Sequence, residues 1–142
     1  MELRILLVQA DGIIQKVEKM LLENQDAKVD IAINGNIAVQ KASESLYDVI
    51  VVDPDLEYGF DGFEVILAIR NHTINTKAQF IIVTSYKIPS YALKAIELNI
   101  NWYIIRPMTT SIVKAAIHWI TEQKEREPCF IVHNRHLLKP FK

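Results

Sequence analysis

Four apolar runs of this chain are each followed by a side chain that could take part in chemistry. Gln9 follows the first run, Asp53 the third, Thr84 the fourth and Arg106 the fifth. In open parallel sheets, ligand sites gather outside the carboxyl ends of the strands, so these residues would meet at one edge. The topology alone then brings together one carboxylate, one hydroxyl and one guanidinium. A guanidinium there can bind a phosphate or clamp the carboxylate in a bidentate pair.

The elements that must position these residues are visible in the hydrophobic pattern. Five short runs, rich in Val and Ile and nearly continuous, are typical of strands buried on both faces of a parallel sheet. They are Ile5–Val8, Val29–Ile33, Val49–Val52, Phe80–Val83 and Trp102–Ile105. The segments between them have helical spacing, which predicts a (βα)5 arrangement with helices on both faces of one open sheet.

Three of the predicted helices carry a stripe of residues at the spacing of a helix that packs one face on a core. The stripes are Ile13, Val17, Met20 and Leu21; Phe63, Ile66, Leu67 and Arg70; and Ile112, Ala116, Ile117 and Ile120. Asp11 is expected to cap the first helix, and Thr109 or Thr110 the last. Asn99 is expected to end the fourth helix in a left-handed conformation.

Composition narrows the class of protein. The 142 residues fit one domain of ordinary size, and half of them are hydrophobic. A formal net charge of −1 gives no electrostatic footprint for nucleic acid or for an anionic membrane. The single cysteine, Cys129, favours a reducing compartment, and no apolar run approaches the ~20 residues of a membrane span. We therefore expect a cytoplasmic protein with neither nucleic-acid nor membrane partners.

Four motifs, in order and at matching spacings, resemble the CheY-like receiver domains of two-component response regulators. They are Leu6–Val8 with Gln9 and Ala10, Tyr47–Asp53 with Asp61–Val65, Ile81–Ser85, and Tyr103–Pro107. The resemblance covers residues 2 to 124 and implies a flavodoxin-like three-layer sandwich with a five-stranded parallel sheet in the order 2-1-3-4-5. It divides the chain into a receiver-like domain, 1–124, and a C-terminal extension or linker, 125–142, in which residues 129–132 could form a short strand.

The resemblance also implies roles for single residues. Asp53 matches the family's phosphoacceptor, which takes a phosphoryl group from a partner kinase. Thr84 matches the switch hydroxyl, and Tyr103 matches the switch aromatic. Arg106 stands where the family has a lysine.

The acid pair of the family is lost. Receiver domains hold Mg²⁺ with the acceptor and two further acids, but Gln9 and Ala10 stand at the positions of those acids. Mg²⁺ prefers oxygen ligands in near-octahedral geometry, and one carboxylate with a neutral amide offers too little negative charge. We therefore expect no cofactor, with Mg²⁺ involved only if the phosphoacceptor alternative holds. Asp53 is then a structural carboxylate, paired with Arg106 and hydrogen-bonded to Thr84.

The predicted function is that of a pseudo-receiver, a signalling module without enzyme activity. Its expected partners are a sensor kinase or an output domain, and it could form a homodimer through the helix 4–strand 5–helix 5 face. Tyr91, Trp102, Tyr103 and Trp119 are either interface anchors on that face or core residues, and both alternatives stay open. Two other functions also stay open: a phosphoacceptor receiver in a phosphorelay using Asp53, and a binder of small molecules at the strand ends.

Two further patterns favour plain structural roles. Cys129, His133 and His136 have no metal-site spacing, which predicts a tail without a bound metal. Gly12 is a single glycine after the first strand, whereas a phosphate cradle for a flavin or nucleotide needs several small residues there.

Overall fold

The computed structural model describes residues 2–56, 61–100, 102–122, 130–133 and 136–137, so Cys129 lies outside the described part. Within these ranges the chain forms five strand–helix units followed by two short strands. The strands are β1 (Leu3–Val8), β2 (Ala27–Ala32), β3 (Val49–Val52), β4 (Gln79–Thr84), β5 (Trp102–Ile105), β6 (Phe130–His133) and β7 (His136–Leu137). The helices are α1 (Gly12–Glu23), α2 (Gly35–Glu44), α3 (Gly62–His72), α4 (Pro89–Glu97) and α5 (Thr110–Glu122).

The strands lie in one sheet in the order β2-β1-β3-β4-β5-β6-β7. The first five are parallel, which confirms the predicted order 2-1-3-4-5. The sheet then continues beyond β5: β6 pairs with β5 in parallel, from Trp102 opposite Phe130 to Ile105 opposite His133, and β7 pairs antiparallel to β6. Part of the C-terminal extension is thus a strand that covers the outer edge of β5.

Two layers of side chains, one on each face of the sheet, form the core. In β1, Leu6 and Val8 pack on the face covered by α2, α3 and α4, whereas Ile5 and Leu7 pack on the face covered by α1 and α5. Because both faces are covered, the strands are apolar almost throughout. Over the described ranges, none of the helices combines the length and apolar character that crossing a bilayer requires.

Helix ends follow the predicted signals. The Asp11 carboxylate accepts hydrogen bonds from the backbone N–H groups of Ile13 and Ile14 at the start of α1. The Thr109 hydroxyl accepts one from Ile112 at the start of α5. Asn99, which follows the C-cap residue Leu98 of α4, has a φ of 56°, as expected for the left-handed residue that ends a helix.

The predicted apolar stripe of α1 is wrong at three of its four positions, and only Leu21 packs against the core as predicted. Ile13 is 78% exposed, and Val17 and Met20 are exposed as well, whereas Leu22 and Glu18 face the interior. Glu18 lies inside because it pairs with an arginine at the carboxyl edge of the sheet, as described below. The second predicted stripe is wrong at one position only, Leu67, which is exposed, and the third stripe is buried or partly buried as predicted.

Gly62 fits tightly where the chain returns from β3 into α3. A Cβ atom on Gly62 would lie 2.5 Å from the carbonyl oxygen of Asp53 and 2.6 Å from the Cα atom of Pro54. The Gly62 N–H also donates to the Pro54 carbonyl at 2.9 Å. The glycine is needed for this close approach of two backbone segments, directly beside the candidate acceptor.

We expect Gly62→Ala to lower the free energy of unfolding by about 2 kcal/mol, because the added methyl group meets backbone rather than a movable side chain. Chemical denaturation measures the change. Gly12→Ala is the matched control, since nothing lies within 4 Å of a Cβ atom there, and it should change the free energy by less than about 0.5 kcal/mol. Equal effects of the two substitutions would contradict the close approach.

Candidate functional site

Asp53 stands at the carboxyl end of β3 and is 7% exposed. Its Oδ2 atom accepts hydrogen bonds from the Gln9 amide, at 2.8 Å, and from Arg106 Nη1, at 2.9 Å. Its Oδ1 atom accepts one from the backbone N–H of Asp55 at 2.8 Å. The carboxylate is therefore surrounded by donors from three different segments of the chain.

Arg106 follows β5, and its guanidinium lies between two carboxylates. Nε and Nη2 donate to Glu18, at 3.0 and 3.3 Å, in a bidentate pair. Nη1 donates to Asp53 and also to the Ser85 hydroxyl, at 3.0 Å. The predicted pair of Arg106 with Asp53 is therefore present, and all three guanidinium nitrogens are engaged.

Glu18 is the site residue that the sequence did not predict. It lies in the middle of α1, is 2% exposed, and reaches a partner 88 positions away in the chain. An acid in the middle of a helix is normally assigned to the solvent face. The apolar residues Ile13, Val17 and Met20 were therefore the stronger indication of which face of α1 packs inward. The weak signal for Glu18 is its register with Leu22 and Ile14, which mark the face that packs inward.

Burial and charge act against each other at this ion pair. Burial raises the pKa of Glu18 above its ordinary value, and the nearby Asp53 charge adds to that, although Arg106 works to lower the pKa. Burial alone would lower the pKa of Arg106, but its hydrogen bonds and charge interactions with Glu18 and Asp53 raise the pKa instead. Two buried carboxylates thus share one cation, which stays charged.

Gln9 presents its amide N–H to the pocket and turns its oxygen away. Its Oε1 atom accepts a hydrogen bond from the backbone N–H of Asp11 at 2.9 Å. The backbone carbonyl oxygen of Gln9 accepts one from the side-chain amide of Gln15 at 2.5 Å. These bonds join the start of α1 to the end of β1. The neighbouring Ala10 contributes no polar side chain, so a donor and a methyl group stand at the two positions that the resemblance assigns to the family's acid pair.

The two candidate switch residues are both buried. The Thr84 hydroxyl lies 3.2 Å from the backbone N–H of Tyr86 and 3.4 Å from its carbonyl oxygen. The predicted hydrogen bond from Thr84 to Asp53 is wrong, because the hydroxyl turns toward the loop that follows β4. Tyr103 is 1% exposed and packs with the helices on the α3 face of the sheet. The switch roles of both residues stay predictions.

The four aromatic residues proposed for an interface divide into two groups. Trp102 and Tyr103 are buried, which is the core alternative left open above. Tyr91 and Trp119 are partly buried, and Trp119 packs edge-on against Trp102 with ring centroids 6.2 Å apart. An interface role for Tyr91 and Trp119 stays a prediction.

Metal-binding groups are sparse in this region. Over the described ranges, no three His, Cys, Asp or Glu side chains lie together in a way that could hold a metal ion. Asp53 and Glu18 both bond Arg106, which stands between them.

We expect Arg106→Ala to lower the free energy of unfolding by about 3 kcal/mol, because it leaves two carboxylates buried without a cation. Arg4→Ala is the matched control. Its ion pair with Asp30 is longer, at 3.6 Å, and 41% of the Arg4 side chain is exposed, so its loss should cost less than about 1 kcal/mol. Urea denaturation compares the two variants, and a loss below about 0.5 kcal/mol for Arg106→Ala would count against the buried pair.

Comparison with known proteins points to one family. Residues 5–118 match the response regulator receiver domain. The chain is 30% identical over 108 residues to the transcriptional regulatory protein ResD of Bacillus subtilis, covering 76% of this chain and 43% of ResD. It is also 30% identical over 106 residues to the transcription factor prr1 of Schizosaccharomyces pombe, covering 75% of this chain and 19% of prr1.

Solved structures of other proteins have the same fold as this chain. A two-component response regulator from Clostridium difficile superposes with a TM-score of 0.77 at 24% identity, covering 86% of this chain and 98% of that one. A CheY-like receiver domain protein from Methanospirillum hungatei superposes with a TM-score of 0.76 at 20% identity, covering 86% and 96%. The sequence match over residues 5–118 and the order of the first five strands lead to one conclusion: this chain belongs to the response regulator receiver domain family.

Proposed function

We propose that this receiver domain signals through protein–protein contact, without Mg²⁺-dependent phosphorylation of Asp53. The observation that carries the proposal is the guanidinium of Arg106, which bonds Glu18 on one side and Asp53 on the other. The positive charge of Arg106 neutralises much of the negative charge of these two carboxylates. The domain is then a binding module and not an enzyme.

The donor set around Asp53 does not fit Mg²⁺. A magnesium site needs several oxygen ligands at near-octahedral positions, usually one or two carboxylates with waters. Here Gln9 turns an amide N–H toward Asp53, and Arg106 places a cation on the same carboxylate oxygen, Oδ2. A divalent cation would have to displace one guanidinium contact and reverse the amide. Each change breaks a hydrogen bond to the buried carboxylate of Asp53, which is energetically costly.

An incoming phosphoryl group meets a similar obstacle. Phosphoryl transfer depends on positioning and on neutralising the charge of the equatorial oxygens. Arg106 is the cation available for this, but all three of its nitrogens already donate to Glu18, Asp53 and Ser85. Freeing it would leave Glu18 buried without a partner, and such a charge is costly in a protein interior.

The partners follow from the family. Receiver domains interact with kinases or output domains, and the two curated relatives named above are transcriptional regulators. This chain spans 43% of one and 19% of the other, so an output partner for this chain is part of the proposal. A homodimer through α4, β5 and α5 would have to use the helix surfaces, including Tyr91 and Trp119, because β6 already pairs with the edge of β5.

The direct test is incubation of the whole chain with acetyl phosphate and Mg²⁺, followed by intact-mass measurement, and a thermal shift with beryllofluoride and Mg²⁺. We expect no phosphoryl adduct and no shift in Tm. Gln9→Asp/Ala10→Asp/Arg106→Lys restores the family's charged groups and serves as the positive control, which should respond to Mg²⁺. A phosphoryl adduct on the unaltered chain that Asp53→Asn abolishes would overturn the proposal in favour of a phosphoacceptor receiver.

A further inference from the structure

Tyr91 joins α4 to the loop that follows β3. Its hydroxyl donates to Asp55 Oδ1 at 2.6 Å, and its ring packs edge-on against Phe63 at the start of α3, with centroids 5.5 Å apart. The hydrogen bond to Asp55, together with burial, raises the pKa of Tyr91 to about 12. The hydroxyl therefore stays protonated, and so remains a donor, at any physiological pH.

Asp55 connects this contact to the pocket. While its side chain accepts from Tyr91, its backbone N–H donates to Asp53 Oδ1 at 2.8 Å. Beyond Asp53 the path continues through Arg106 to Glu18. A single series of charged or charge-assisted hydrogen bonds thus runs from α1, through the carboxyl edge of the sheet, to α4.

The other attachments of α4 are mainly partly buried contacts: Ala92 and Ile96 pack against the core, and Lys94 Nζ lies 5.3 Å from the centre of the Phe63 ring. Ala95 is its only buried residue, and its N-cap, Ile88, makes no side-chain hydrogen bond. By contrast, α1, α2 and α3 each begin with a side chain that caps the first turn. A helix with one fully buried residue and no side-chain cap opens at lower free energy than a well-buried one, so the hydrogen bond from Tyr91 to the exposed Asp55 can add to its stability.

We propose that Tyr91 couples the stability of α4 to the ion pair of Arg106, by a route that bypasses Thr84 and Tyr103. Tyr91 acts as a positioning residue: it holds Asp55 and the first turn of α4 in one arrangement. The coupling goes beyond the function proposed above, because it does not depend on whether Asp53 accepts a phosphoryl group. Its physical basis is that residues in one hydrogen-bond network do not respond independently to substitution.

Amide hydrogen exchange of α4 in the full chain tests this coupling with four proteins: the unaltered chain, Glu18→Gln, Tyr91→Phe and the double variant. Each single substitution should speed exchange in residues 89–97. If the two substitutions acted independently, the exchange rate of the double variant would rise by the product of the two single increases. We expect its exchange rate to be at least about twofold below that product. If Glu18→Gln does not fold, Ser85→Ala, which removes another contact of Arg106, takes its place.

Tyr86→Phe is the matched control. Tyr86 is 61% exposed, and its contacts with Thr84 are made by the backbone, so loss of its hydroxyl should combine multiplicatively with Glu18→Gln. Multiplicative effects for the Tyr91 pair would overturn the proposal. An equal deviation for Tyr86→Phe combined with Glu18→Gln would also overturn the proposal, because the coupling would then not run through the Asp55 contact.

Discussion

One guanidinium shared by two buried carboxylates organises the carboxyl edge of this sheet. Charged groups rarely lie inside a protein unless they are paired and hydrogen-bonded, and Glu18, Arg106 and Asp53 satisfy one another. Such a pair is not by itself a strong source of stability, since removing all its members can be neutral. Its effect is on geometry, because each partner is costly to leave alone. The group therefore fixes which segments must come together at this edge.

Other features of the structure follow from that constraint. Because Glu18 must reach Arg106, α1 is rotated so that Ile13, Val17 and Met20 face outward. Because Asp53 is already bonded by Arg106 and Gln9, its remaining oxygen is free to hold the Asp55 backbone. The loop is thereby placed where Tyr91 can bond the Asp55 side chain. A change in the charge of this pocket would then affect α1 through Glu18 and α4 through Tyr91.

Much of this could be predicted from the sequence, for identifiable reasons. Parallel strands end at a common edge, so the meeting of Asp53 with Arg106 follows from topology. Glu18 could not be predicted, because an acid on an inward-facing helix position is stable only with a partner distant in sequence. The direction of the Thr84 hydroxyl depends on the local path of the chain at Tyr86. Likewise, the full burial of Trp102 and the partial burial of Trp119 depend on packing that one sequence does not reveal.

In the proposed function, Arg106, and not a divalent metal ion, supplies the positive charge of this pocket. NMR of the arginine side-chain Nε–H groups during a Mg²⁺ titration tests it most directly, with the Arg106 signal assigned by its loss in Arg106→Lys. We expect the Nε–H of Arg106 to be protected from solvent exchange and its resonance to stay in place as Mg²⁺ is added. A saturable shift of that resonance, with loss of its protection, would show the metal displacing the guanidinium and would contradict the account.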